Sequence, residues 1–262
     1  MHAQQEPIAL KIPLPDRGYD LAALLDLKNA KSKDIVVVCH GLISDKRRSV
    51  AATLAEALQQ RNLCRFDFAG NGDSGGEWTL SGYDREMEDL RGVVQHLRGE
   101  GWAVTAVVGH SKGACAVIKY AAKYDDVPLV VPVAGRFDMS QTPASRYTEE
   151  QWRQLREEGA TQWVVGGRSY TVRQADLDEK AALDMAAECA AIHKSKVHII
   201  HGDADDTIPV RDAHEFHKHL PDSTLTIIEG GSHSFRTSAE GREHMAAAVE
   251  RCLGVQHDAV AA

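Results

Sequence analysis

The residues best arranged for chemistry lie in one pentapeptide, Gly109-His110-Ser111-Lys112-Gly113. The run before it, Val104-Thr105-Ala106-Val107-Val108, is rich in β-branched residues, and Ala114-Cys115-Ala116-Val117-Ile118-Lys119-Tyr120 after it is small and helix-compatible. A G-x-S-x-G serine between a strand and a helix sits on a sharp turn with its hydroxyl raised above the sheet. The flanking glycines are needed because a side chain there would collide with neighbouring backbone as the chain reverses. Ser111 is therefore the candidate nucleophile, and the chemistry is attack on an acyl carbon. A second match, Gly72-Asp73-Ser74-Gly75-Gly76, is followed by no helix, and Ser74 is read as a turn residue.

A serine hydroxyl titrates far above neutral pH, so it needs a base in contact and a carboxylate to fix that base's tautomer. With a nucleophile elbow the partners are expected later in the chain, the acid before the histidine, each on a loop after a strand. His233 in Glu229-Gly230-Gly231-Ser232-His233 meets that requirement. For the acid the preceding loop offers Asp203, Asp205 and Asp206, and Asp138 lies after an earlier strand; spacing alone does not choose. The oxyanion of a tetrahedral intermediate needs two backbone donors, for which the amides of Lys112 and Leu42 are the candidates. His40 is read as shaping the loop that carries Leu42. His214, His217 and His219 do not share one helix face and lack a completing Cys or acid, so no metal is expected.

The elements that must hold these residues alternate in type. Ile8 to Pro13 and Tyr19 to Leu27 read as two antiparallel strands, and Ile35 to Cys39 as a strand buried on both faces. A helix over about 49–60, a strand over 63–68 and an amphipathic helix over 83–98 lead to the elbow, and a strand over 128–133 follows it. About fifty residues then break the alternation. They contain a capping box at Thr148-Glu149-Glu150-Gln151, a hairpin turning at Gly166-Gly167, and a helix over about 175–191. Strands over 196–201 and 224–228 with helices over 210–220 and 241–253 complete the pattern, and the tail after Gly254 is expected to fray. The glycine-rich loop from Gly70 to Gly76 is no phosphate cradle, since no helix opens there.

Composition narrows the function. With 262 residues the chain can bury roughly three quarters of its unfolded surface. A net charge of -8 with no separate basic stripe gives no sign of a nucleic-acid partner, and Lys46-Arg47-Arg48 is read as a solvated loop or a helix start. The five cysteines, odd in number and set in apolar runs, fit buried thiols in a reducing compartment. Neither a signal pattern over Met1 to Pro7 nor a membrane-length apolar run is present, so a cytoplasmic protein is expected.

Together these segments resemble the α/β-hydrolase superfamily, and within it the short-lid esterases that include cinnamoyl and feruloyl esterases and related plant and algal hydrolases. The resemblance rests on His40-Gly41, on Arg65-Phe66-Asp67-Phe68-Ala69-Gly70-Asn71-Gly72-Asp73-Ser74-Gly75, on the elbow, and on Gly135-Arg136-Phe137-Asp138. It extends to His201-Gly202-x-x-Asp205 and Gly230-x-x-His233-x-Phe235. It implies an α/β fold over 1–262, a mostly parallel sheet with helices on both faces and a lid inserted at about 136–191. It also implies an acid three positions after the glycine, which selects Asp205, and a catalytic set of Ser111, Asp205 and His233. The implied activity is hydrolysis of a small-molecule carboxylic ester without a cofactor; a thioesterase, monoacylglycerol lipase or peptidase on the same triad, or a ligand-binding protein without turnover, are the alternatives, and a homodimer is one assembly open to the chain. Lys112-Gly113-Ala114 departs from the Gln-Gly-Gly that many of these esterases carry and is closer to the plant-like members. Trp152, Trp163 and Tyr170 of the lid would either line the acyl pocket or pack the lid onto the sheet.

Overall fold

The computed structural model describes residues 6–260, so Met1 to Gln5 of the leader reading lie outside the described residues. Strands β1 (Ile8–Leu14), β2 (Tyr19–Asp26), β3 (Asp34–Cys39), β4 (Asn62–Phe66), β5 (Ala103–His110) and β6 (Leu129–Val133) are joined by β9 (Lys196–Gly202) and β10 (Thr224–Ile228). They form one sheet in the order β1-β2-β4-β3-β5-β6-β9-β10. Only β2 with its two neighbours is antiparallel; every other pair is parallel. This is the mostly parallel α/β architecture that the alternation called for, and the one that the resemblance implies.

The central strands are apolar throughout because helices cover both faces. Val37 and Cys39 face α2 (Tyr83–Gly99) and α3 (Lys112–Tyr124), together with α7 (Arg211–His219). Val36 and Val38 face α1 (Ser49–Ala57) and α8 (Ala239–Val260). The chain grows outward from β3 to β4 and then crosses back to β5 on the other side of β3. Such a switch leaves a crevice at the carboxyl ends of the two strands, where open α/β sheets bind ligands. Ser111 follows β5 at that point.

Between β6 and β9 the chain builds α4 (Glu149–Glu158), the hairpin β7 (Ala160–Val165) with β8 (Arg168–Arg173), then α5 (Gln174–Ala181) and α6 (Met185–Ala190). The capping box forms, with the Thr148 hydroxyl accepting from the Gln151 amide and the Gln151 side chain accepting from the Thr148 amide. Leu155, Val172 and Leu177 make a small core with Tyr147 and with Leu80 of the sheet side. The single helix expected over 175–191 is two, because the Asp184 carboxylate accepts the amides of Ala186 and Ala187 and starts a new helix there. The tail is also corrected, since α8 continues past Gly254 to Val260.

Lys46 is not solvated as expected. Its side chain is 2% exposed and its ammonium pairs with the fully buried Asp67 and with Asp73, while Arg47 and Arg48 stay in solvent. Asp67 also accepts the Lys46 and Asp73 amides, so one carboxylate ties the loop after β3 to the glycine-rich loop after β4. The Ser74 hydroxyl donates to the Asp67 carbonyl and accepts from Ala22, which makes it a turn residue. Removing one member of a buried pair strands the other charge. Lys46→Met is therefore expected to lose about 3 kcal/mol of stability, measured from the midpoint of urea unfolding; a shift equivalent to under about 1 kcal/mol would show that the pair behaves as a surface one.

Candidate active site

Backbone contact builds the elbow. A Cβ on Gly109 would lie 2.1 Å from the Gly113 carbonyl oxygen, and one on Gly113 would lie 2.5 Å from that of His40. Strand β5, helix α3 and the end of β3 thus touch backbone to backbone. The turn forces Ser111 to φ 56°, ψ −115°, a conformation that side chains rarely adopt, and its amide is held by the Val133 carbonyl at 2.9 Å. Among the described residues, four of the six non-glycine residues with positive φ, namely Ile43, Ser111, Ala134 and Phe235, are on loops at this end of the sheet. Strain of this kind persists where surrounding structure over-determines the backbone.

The two later loops meet by the same device. A Cβ on Gly202 would fall 2.0 Å from the Gly231 oxygen, and the Asp203 and Ala204 amides donate to Ile228 and Gly231. Asp205 and His233 are brought together as a result. His233 Nδ1 lies 2.8 Å from Asp205 Oδ2, and His233 Nε2 lies 3.0 Å from Ser111 Oγ. Since an ionised carboxylate only accepts, Nδ1 carries the proton, Nε2 is left as an acceptor, and the serine hydroxyl donates to it. Asp205 Oδ1 accepts the amides of Thr207 and Ile208 at 2.9 and 2.8 Å.

Burial opposes the charge of Asp205, but hydrogen bonds from His201 and His233 outweigh it and hold the carboxyl well below the usual carboxylate range. His201, fully buried, donates Nε2–H to the Ile208 carbonyl at 2.9 Å and approaches Asp205 at 3.2 Å. The other acids are engaged elsewhere. Asp203 accepts the Gly230 amide, Asp206 the Thr207 hydroxyl, and Asp138 caps Ser140. Among the described residues no group of three or more His, Cys, Asp or Glu is placed to hold a metal, and the five cysteines are free and buried.

Two further histidines shape the site without touching the serine hydroxyl. His110 donates Nε2–H to the His233 carbonyl at 2.8 Å, and burial followed by repulsion from His233 pushes its pKa down to about 3, so the ring is neutral. His40 donates Nδ1–H to Gly41 O at 2.7 Å and accepts from the Phe68 amide at 3.0 Å, which pins the loop leading to Leu42. A Cβ on Gly41 would come within 3.1 Å of Ser111 Cβ, so this loop lies directly against the serine. Among the described residues neither the Leu42 nor the Lys112 amide donates to another protein group. The Lys112 side chain turns away and pairs with buried Glu86 at 2.7 Å over the ring of Tyr83. Glu86 gave no sign in the sequence beyond being a charged residue on the buried side of an amphipathic helix.

Ser111 and His233 open into a cavity of about 250 Å³ between the sheet and the insertion. Of the three aromatics expected there, only Trp163 lines it. Trp152 donates its indole N–H to Ala144 and packs edge-on against Tyr147 within the insertion, and Tyr170 stacks on Trp78 before α2, joining the insertion to the rest of the chain. Arg136, Arg146, Tyr147 and Lys180, which line the cavity, escaped sequence reasoning because they sit on irregular segments or on a helix's inner face. A larger cavity of about 950 Å³ lies at the opposite end of the strands, beside Asp34, Lys196 and Thr224. The smaller cavity, which holds the hydrogen-bonded Ser111 and His233, is the candidate site.

A profile of the family described as serine aminopeptidase, S33, matches residues 30–188, a span that includes Ser111 and stops before Asp205 and His233. Among solved structures, Est1E from Butyrivibrio proteoclasticus with ferulic acid bound is 19% identical with a TM-score of 0.77, over 95% of this chain and 100% of that one. An esterase from Pyrococcus furiosus is 20% identical with a TM-score of 0.75, over 95% and 91%. Mouse alpha/beta hydrolase domain-containing protein 10 is 16% identical with a TM-score of 0.72, over 95% and 99%. At these identities the likeness is one of fold. No curated protein sequence matches. No helix among the described residues is long and apolar enough to cross a membrane. With more than half of its length matched by the family profile and its sheet shared with these neighbours, the chain belongs to the serine aminopeptidase S33 family of α/β-hydrolases.

Proposed function

We propose that the protein is a serine esterase acting on small or medium carboxylic esters. The observation that carries this reading is the hydrogen-bonded chain Ser111–His233–Asp205, at 3.0 and 2.8 Å, opening into the 250 Å³ cavity. Ser111 Oγ attacks the ester carbonyl while its proton passes to His233 Nε2, and Asp205 holds the imidazole in the tautomer that can accept it. The carbonyl oxygen becomes an oxyanion, for which the uncommitted amides of Leu42 and Lys112 are the donors. Collapse expels the alcohol, which takes the proton from His233. Water then attacks the acyl-enzyme by the same route in reverse, releasing the acid and restoring Ser111.

The segment at 136–191 acts as the lid, closing the acyl side with Trp163, Val165 and Leu177. Esterase chemistry is supported by the activity of the structural neighbours from Pyrococcus furiosus and by the ferulic acid on Est1E. Aminopeptidase chemistry, which the family description names, is disfavoured by the lining. An aminopeptidase must receive a free ammonium beside the scissile bond, and no Asp or Glu lines this cavity among the described residues.

The test is hydrolysis of 4-nitrophenyl esters from acetate to palmitate and of methyl ferulate. Ser111→Ala is expected to lower kcat/KM about 10⁴-fold or more, with the optimum at short acyl chains. No turnover of any ester by folded wild-type protein would reject the reading. Asp205→Asn is expected to lower kcat about 10³- to 10⁴-fold by releasing the imidazole tautomer.

The depressed pKa of Asp205 has a second consequence, for stability. The unfolded carboxyl protonates near about 3.9, while the folded one stays charged to lower pH. Its contribution is complete above that value and fades as pH falls toward the folded pKa. The stability gap between wild type and Asp205→Asn, measured by urea unfolding, should therefore hold from neutral pH to about 5 and shrink below about 4. A gap that is unchanged on acidification would contradict the assignment of the charge.

A further inference from the structure

Three cations on the insertion side of the cavity have no anionic partner. Arg136, Arg146 and Lys180 all line it beside Ser111 and His233. Arg136 and Lys180 are more than nine-tenths buried, and Arg146 is half-buried. The fourth cation in the lining, Lys112, is neutralised by Glu86. Among the described residues no carboxylate comes within ion-pair distance of the other three. Asp138 is committed to Ser140 and faces Arg211 at 3.7 Å, and Asp176 accepts from Ser81 and the Arg173 amide.

The hydrogen bonds these groups do make explain their positions and leave their charges uncompensated. Arg136 Nη2 donates to the Thr207 carbonyl at 2.7 Å, in the loop that holds Asp205, and its remaining N–H groups are uncommitted. Lys180 donates to the carbonyls of Met139 and Gln141 at 2.5 and 2.8 Å and lies 3.4 Å from the Thr142 hydroxyl, pinning that strap. The Arg146 guanidinium lies over the ring of Trp163, 5.7 Å from its centroid, and donates to no protein acceptor among the described residues. Burial, then repulsion from Arg136 and Arg146, pushes the Lys180 ammonium down to about 8, and burial also lowers Arg146. Three like charges held together in a partly dry cavity cost stability, and a bound anion is what offsets that cost. Guanidinium forks suit a planar carboxylate, which takes two parallel N–H donors.

We propose that Arg136 and Arg146, reinforced by the charge of Lys180, form an anion subsite, and that the ester this enzyme hydrolyses carries a carboxylate on the portion lying against them. The inference rests on the esterase reading above and specifies its substrate class. It accounts for the lining as a whole, which carries these cations and apolar groups such as Trp163 and Leu177 and, among the described residues, no acid.

The experiment compares charged and neutral isosteres in two arms. With the charge in the leaving group, 4-acetoxybenzoate is set against 4-acetoxybenzamide. With the charge in the acyl group, monomethyl glutarate is set against methyl 4-carbamoylbutanoate. In one arm the anionic ester should have a kcat/KM about tenfold or more higher, and in Arg146→Gln and Arg136→Gln that ratio should fall toward one. The arm that responds says which portion faces the cations. Ratios near or below one in wild type in both arms would overturn the subsite. If none of the four esters turns over, calorimetry on Ser111→Ala decides the subsite alone, and the esterase reading fails only if the 4-nitrophenyl esters and methyl ferulate are not hydrolysed either. Glutarate binding more tightly than glutaramide, with the difference lost on adding Arg146→Gln, would uphold it; equal binding would overturn it.

Discussion

The site depends on a place where backbone touches backbone. Gly109, Gly113 and Gly41 leave no room for a side chain between the ends of β3 and β5 and the start of α3, and that contact pushes Ser111 into its strained conformation above the sheet. The hydroxyl then points into the crevice at the switch between β3 and β5, and the first amides of α3 and of the loop after β3 are left without protein acceptors. Position, access and electrostatic stabilisation follow from one packing constraint. Gly202 against Gly231 repeats it two strands away and sets the distance at which Asp205 can reach His233.

Around this frame the polar groups fall into two kinds. Some are closed: Lys46 with Asp67, Lys112 with Glu86, and Arg65 with Asp26 at 2.7 Å are buried pairs that tie neighbouring loops or elements together. Others are open on the cavity side. Arg136, Arg146 and Lys180 have neutral partners or none, and the amides of Leu42 and Lys112 have no acceptor. The closed pairs are neutralised in place, whereas the open groups lie along the cavity where an entering group can meet them. The buried neutral His110 belongs to the first kind, since its ring fixes the His233 carbonyl and adds no charge beside the base.

The insertion is attached to the rest of the chain by both aromatic and polar contacts, the latter including Ser81 with Asp176, Lys119 with Glu188 and the Phe137 amide with Asp212. Tyr170 on Trp78, with ring centroids 4.9 Å apart, and Tyr147 between Trp152 and Trp163 join its small core to residues before α2. Trp163 therefore serves packing and cavity wall at once, and supports the guanidinium of Arg146.

Much of this was legible in the residues. Alternating apolar runs set the order of strands and helices, glycines at fixed offsets marked the elbow, and the loops after β9 and β10 announced an acid and a base, because those patterns are local and each has its own backbone cause. Three things were not local. Which aspartate meets His233 depends on loops crossing from neighbouring strands, so Asp203, Asp205 and Asp206 differ only once the backbone is folded. Whether Lys46 is solvated depends on Asp67, 21 positions away, and of the three aromatics that could line the pocket or pack the insertion, Trp152 packs on Tyr147 and Tyr170 on Trp78. The sequence by itself determined the fold class, the candidate nucleophile and the loops that carry its candidate partners, through short-range periodicity and turn chemistry. Only the tertiary structure decided which side chains share the cavity with the serine, because Arg136, Arg146 and Lys180 are brought together across as many as 44 residues by packing that no local pattern encodes.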